Sequence, residues 1–308
     1  MTVAGAPATP WGIPTPAGEA VRESEGRTAS PAVTTRPVVL TPAEAHTCAL
    51  VSREAVVALT GEVDVVVALQ PIVSLSDMTL RGVEALARFP APPTAPPNVW
   101  FARAERAGVA RRLELAVVRR ALHLWQRDPV GDYVAVNVSA RTLVDPALLT
   151  VLLEADVPYG SVVVEMTEHS RVDDDDEALA AIDRLRAAGA RVALDDVGAG
   201  FASLELARRL RPDVIKIDAG VIAQLRSVPC ELLIAGAAVS VARELGASVA
   251  VEGVETLDDL HSVRALGADE AQGFFFGRPS ADRSVWRRWA QRARQRPARL
   301  PRPGVMVH

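Results

Sequence analysis

From Val63 onward the chain repeats one pattern: a short β-branched run, then a helical stretch. Eight runs read as strands: VDVVVALQPIV, LRGVEALARF, YVAVNVS, SVVVEMTE, RVALDD, DVIKID, SVAVEGVE and AQGFFFG. Between most of them lie helical patterns. RLELAVVRRALHLWQR (112–127) carries apolar residues at helical spacing. DDDEALAAIDRLRAAGA (174–190) starts with acids and closes at Gly189, as dipole and C-cap preferences require. Cys230 to Leu245 reads as a helix closed by Gly246, and Leu257 to Leu266 as one closed by Gly267. Near-continuous apolar strands alternating with helices imply a parallel sheet covered on both faces. Eight such units predict a closed barrel, so the expected class is α/β, a TIM-like (β/α)8 barrel in a single folded domain.

The 308 residues suit one such barrel of about 250 residues plus tails. The first 45 residues are rich in Pro, Ala and Thr, bury little and are expected to be a disordered leader. The barrel is expected over 46–295, with a flexible basic tail at 296–308. The stretch from Arg287, RRWAQRARQRPARLPRP, reads as a solvated end. A net charge of -4 argues against a partner that is long nucleic acid. Cys48 and Cys230 form no CxxC pair, which leaves disulfide scaffolds and thiolate zinc sites unsupported. The N-terminus lacks a secretory pattern. Apolar runs such as Leu232 to Ala242 are too short to span a bilayer, so the cytoplasm is the expected location.

Polar residues cluster where the strands stop. Glu84 follows LRGV, Asn137 follows VAV, Glu165 follows SVVV, and Asp195 and Asp196 follow RVAL. Lys216 and Asp218 lie in DVIKID, Glu252 follows SVAV and Gln272 opens QGFFFG. In a parallel barrel the strand C-termini converge on one rim, where active sites are built. So many carboxylates in one cup are unfavourable unless cations neutralise them. Oxygen ligands without histidine favour Mg²⁺ or Mn²⁺ over Zn²⁺. The adjacent Asp195 and Asp196 suit two neighbouring ions, the arrangement that activates water against a phosphodiester. Lys216 could hold the attacking water or offset charge on phosphorus. Glu252 could accept a proton or position the ions. Any one of these acids alone would more simply be a cap or a surface group.

Together these positions resemble the EAL-domain family of c-di-GMP phosphodiesterases. The naming motif stands as EALAR, Glu84 to Arg88. Around it, in family order, lie LQPIV (69–73), VNVSAR (136–141), EMTE (165–168), DDVGAGFASL (195–204), KID (216–218), EGVET (252–256) and QGFFFGRP (272–279). The resemblance implies a TIM-like barrel with one early antiparallel strand, and hydrolysis of c-di-GMP to linear pGpG with Mg²⁺ or Mn²⁺. By motif, Glu84, Asn137, Glu165, Asp195 and Asp196 look like metal ligands. Lys216 resembles the lysine that contacts water and phosphate, Glu252 the general base or metal-site organiser, and Gln272 a residue that fixes water or metal. Gln70 and Arg88 match dinucleotide-contacting positions, and Leu86 lines the pocket. Glu168 and Glu255 match positions that secure the loop after Asp196, a loop linked to dimerisation, so a homodimer is one expected state. A regulatory partner protein is another expectation, since no sensory domain is recognisable.

The chain departs from the family pattern at Val197, Val251, His169 and PAPPTAPPNVWFARAE (90–105), none of which removes a proposed ligand. The acidic run Asp173 to Asp176 fits a helix start better than a calcium site. His123 fits a surface or packing role, and Cys230 a small buried residue. The alternative to an enzyme is a non-catalytic c-di-GMP receptor using the same pocket. A different metal-dependent barrel enzyme rests on fold analogy alone.

Overall fold

The computed structural model describes residues 41, 56–58, 65–90, 95–158, 160–167, 175–197, 201–218 and 229–294, the side chains of 167, 175, 201, 202, 229–234 and 292–294 excepted. The chain divides into a unit from Met1 to Ala32, which lies outside the described residues, and the unit from Val33 to His308, which holds the barrel. Eight strands close in sequence order: β1 (Val66–Ser74), β2 (Leu80–Arg88), β3 (Tyr133–Val138), β4 (Val162–Thr167), β5 (Arg191–Val197), β6 (Val214–Ile217), β7 (Ser248–Val251) and β8 (Glu270–Gln272). β1 runs antiparallel to both neighbours, β2 and β8. Every other pairing is parallel. A two-stranded hairpin thus opens the barrel, and the parallel crossovers follow it.

The main helices among the described residues are α1 (Pro97–Arg106), α2 (Ala110–Arg127), α3 (Ala140–Leu143), α4 (Pro146–Glu154), α5 (Asp175–Ala187), α6 (Phe201–Leu210), α7 (Pro229–Leu245), α8 (Leu257–Leu266) and α9 (Arg283–Arg294). Their ends follow local chemistry. Pro97 supplies the first turn of α1, where its missing N–H costs nothing. Thr256 and Asp259 form a reciprocal capping box on α8, which Gly267 ends at φ 85°. Among the described residues no helix is long and apolar enough to cross a membrane.

Two stretches differ from expectation: β8 stops at Gln272, so the FFFG of AQGFFFG lies beyond the strand, and the C-terminal basic segment is helical. The basic segment from Arg287 continues α9 as far as Arg294 and is not a solvated tail over that span. Two tryptophans decide this. Trp286 and Trp289 are buried, and the Trp286 indole N–H donates to the Ser280 carbonyl at 2.7 Å. Arg287 and Arg288 are exposed, and Arg287 pairs with Asp128 at 3.3 Å.

Strand alternation places the site. Ile72, Tyr133, Ala135, Val163, Ala193, Val214 and Ala250 form one buried cluster. Two residues further toward the rim on each strand, the same face carries Gln70, Asn137, Glu165, Asp195, Lys216 and Glu252. Because β1 is reversed, Gln70 comes before Ile72 in sequence and still reaches the rim, opposite Glu84. The other end is closed by a polar plug. The Tyr133 hydroxyl donates to Glu270 Oε2 at 2.6 Å, Arg81 lies 3.6 Å from Glu270 Oε1, and the Arg191 guanidinium sits 4.5 Å from the Tyr133 ring centre. Burial and the Glu270 charge push the Tyr133 phenol well above its usual pKa.

Candidate active site

At the rim two linked groups of side chains form. The first centres on Glu84. Asn137 Nδ2 donates to Glu84 Oε1 at 2.7 Å, and Gln272 Nε2 donates to Glu84 Oε2 at 2.5 Å. Gln272 Nε2 also donates to Gln70 Oε1 at 3.1 Å, and Gln70 Nε2 donates to the Gly277 carbonyl at 3.2 Å. Each amide NH₂ therefore faces an acceptor. Among the described residues the opposite carbonyl oxygens, Asn137 Oδ1 and Gln272 Oε1, are buried without a hydrogen-bond partner. Such an oxygen costs free energy unless something electropositive meets it.

The second group surrounds Lys216, whose ammonium lies 2.5 Å from Glu252 Oε1, 2.7 Å from Glu165 Oε2 and 3.5 Å from Asp195 Oδ1. Lys216 is the only lysine in the chain, against 33 arginines. A compact ammonium fits between three converging carboxylates, whereas a planar guanidinium needs a flat, forked partner. Burial opposes the Lys216 charge, yet Asp195, Glu165, Glu252 and Glu84 together hold its pKa well above the usual value. One ammonium does not balance that many acids. Burial, with the Glu84 and Asp195 charges, raises Glu165 to about 8 despite Lys216. Glu252 is likewise pushed well above its usual value by burial, with Lys216 pulling the other way.

Asp195 and Asp196 sit at a bulge. Leu194 pairs with Ile215 but Val197 pairs with Ile217, so β5 carries one extra residue. Asp196 takes the left-handed conformation at φ 59°, which aspartate tolerates better than most residues. Its amide donates to Asp195 Oδ1 at 2.9 Å. The bulge breaks the alternation that would send adjacent side chains to opposite faces. Both aspartates are buried.

The donors gathered here are all oxygen, which suits a hard divalent cation. The two partnerless amide oxygens are the observation that fits such an ion best. Among the described residues, no three Asp, Glu, His or Cys side chains form a ready-made metal cage. The reason is local. Lys216 stands between Glu165, Asp195 and Glu252, and the amides hold Glu84 from the other side.

The remaining expected positions are placed as follows. Leu86 and Arg88 share the inward face of β2 with Glu84; Leu86 is buried and Arg88 half-buried, donating to the Ala87 carbonyl at 2.8 Å. Asp218 is half-buried just beyond β6. The Glu255 side chain is exposed, and its backbone N–H donates to Asp259 at 3.2 Å. Glu168, His169, Asp173, Cys48, the Cys230 side chain and most of the loop after Val197 lie outside the described residues. His123 is exposed on α2.

Sequence reasoning missed two supports. Gly273 follows Gln272, and a Cβ there would lie 2.1 Å from the Val254 carbonyl oxygen. Only glycine lets β8 approach the segment after Glu252 so closely. Glu114 on α2 accepts from the Ser139 amide at 2.8 Å and the Ser139 hydroxyl at 2.9 Å. A serine preceding a helix signals a cap, but nothing in the sequence names the distant acid that binds it.

An EAL-domain family model matches residues 53–279, well over half the chain. The chain belongs to the EAL-domain family. Cyclic di-GMP phosphodiesterase PdeR of Escherichia coli is 34% identical over 223 residues, covering 69% of this chain and 33% of PdeR. This EAL chain thus spans a third of that relative's length. The solved PaMucR phosphodiesterase in complex with c-di-GMP is 28% identical, with a TM-score of 0.68, covering 75% of this chain and 98% of that one. BlrP1 of Klebsiella pneumoniae, solved with manganese and c-di-GMP, is 32% identical with a TM-score of 0.63, covering 70% of this chain and 56% of BlrP1. The closed mixed barrel is shared with these EAL proteins.

Proposed function

We propose that this EAL domain is a cytoplasmic phosphodiesterase that hydrolyses c-di-GMP to linear pGpG with the help of two Mg²⁺ or Mn²⁺ ions. The observation that carries the reading is the rim itself. Among the described residues two buried amide oxygens lack partners, and five carboxylates gather around one lysine, whose ammonium pairs with three of them. Glu84, Asn137, Glu165, Asp195 and Asp196 would hold the ions. Bound there, divalent cations supply charge neutralisation for the phosphodiester and a more acidic water.

The chain's own groups do the rest. Lys216, fixed by Glu165 and Glu252, presents a permanent positive charge toward the developing negative charge on phosphorus. Glu252, the most exposed of the three acids around Lys216 at 16%, has a raised proton affinity and suits it to take the proton of the attacking water. Gln272 keeps Glu84 oriented. Gln70, Leu86 and Arg88 line the inward face beside Glu84 and would contact the dinucleotide. Glu168 and Glu255 would secure the loop after Asp196. A homodimer and a regulatory protein partner accompany this reading.

Purified protein incubated with c-di-GMP and Mn²⁺ or Mg²⁺, followed by chromatography, tests it. Formation of pGpG that stops on chelation is the expected result. Binding of c-di-GMP with no product would instead favour the receptor reading.

A further inference from the structure

Glu114 is a buried acid to which the chemistry above gives no task. It projects from the second turn of α2, is 5% exposed and has no cation paired with it among the described residues. A buried carboxylate without a counter-ion is costly unless hydrogen bonds compensate it. Here the compensation comes mainly from Ser139, through both amide and hydroxyl, with the Thr142 hydroxyl also facing the carboxyl. Ser139 also accepts from the Thr142 amide, so a single side chain ties the start of α3 to α2.

Ser139 lies two residues beyond Asn137, where β3 stops. Asn137 carries one of the two buried, partnerless amide oxygens. Its other amide atom is held by Glu84. The main chain on its C-terminal side is fixed by Glu114, which itself rides on an 18-residue helix. Groups that orient a ligand from behind typically change metal affinity when removed.

We propose that Glu114 is a positioning residue for the metal site: by clamping Ser139 it fixes the end of β3 so that Asn137 Oδ1 points at the cation. The inference rests on the metal-binding reading above. Burial raises the proton affinity of Glu114. A neutral glutamine, which keeps an acceptor oxygen at the same reach, is therefore a close substitute.

The test measures Mn²⁺ affinity of the full chain without substrate, by electron paramagnetic resonance of free Mn²⁺. Wild type is compared with Glu114→Ala, Glu114→Gln, Ser139→Ala and Asn137→Ala, each also melted without metal. Glu114→Ala should weaken Mn²⁺ binding by roughly 10–100-fold, while Glu114→Gln stays near wild type. Ser139→Ala, which removes one bond of the two, should fall between them and serves if Glu114→Ala does not fold. Wild-type affinity in Glu114→Ala or, failing that variant, in Ser139→Ala overturns the proposal, however far the melting temperature drops. If wild type itself binds no Mn²⁺, the metal reading fails and this one with it. If Asn137→Ala weakens binding and the Glu114 and Ser139 variants do not, only the positioning role fails.

Discussion

Lys216 touches three carboxylates and has no other lysine to share its role. Replacing it with arginine keeps the charge but brings a larger planar group into a pocket shaped for a point charge. Lys216→Arg should lower turnover by roughly 10²–10³-fold while circular dichroism stays native. Wild-type rates in that variant would remove Lys216 from the chemistry. Glu84→Ala and Asp195→Ala should each cost about 10³-fold or more in turnover, the scale of several kcal/mol of lost stabilisation. Both should leave the barrel folded, because strand pairing does not depend on these side chains. Ca²⁺, with looser and larger coordination, should support turnover about tenfold or more below Mn²⁺. Equal rates with Ca²⁺ would contradict the assigned geometry.

At the scale of the element, alternation made the site legible. Glu84, Asn137, Glu165, Asp195, Lys216 and Glu252 each follow an apolar run, Gln272 opens one, and each lies on the inward face. What remained hidden depended on long-range pairing. The strand pattern alternates alike in either direction and does not show the reversal of β1, which the EAL resemblance implies and the hairpin with β2 bears out. The bulge at Asp195 and Asp196 shows only once β6 supplies the register. α9 looked like a charged tail because its tryptophans are outnumbered by arginines, and burial of two rings decided its course. Gly273 belongs to the same class, since its need for a missing Cβ comes from Val254 on another segment. Gly273→Ala should cost about 1–3 kcal/mol, the usual penalty of overpacking, and displace Gln272. Thermal melting and turnover measured together check this. An unchanged melting temperature would mean that the close approach is not required.

For the whole molecule, the excess of acid at the rim links folding to protons and metal. In the metal-free fold Glu165 binds a proton up to about pH 8, whereas its ordinary value is 4.5. The folded state therefore holds more protons than the unfolded chain between those values. Its contribution to stability is complete below about 4.5 and is lost as pH rises through about 8. Metal-free protein should melt at a lower temperature at pH 9 than at pH 6, by roughly 2–4 °C for each kcal/mol lost. Mn²⁺ should reverse that loss, because an ion bound only to the folded state stabilises it by mass action. A melting temperature that rises with pH without metal would refute the linkage.

The most direct test is anomalous diffraction at the manganese edge from crystals soaked in Mn²⁺. The account predicts strong anomalous peaks at the rim, within ligating distance of Glu84, Asn137, Glu165, Asp195 and Asp196. Diffraction with those side chains ordered and no anomalous peak among them would contradict it.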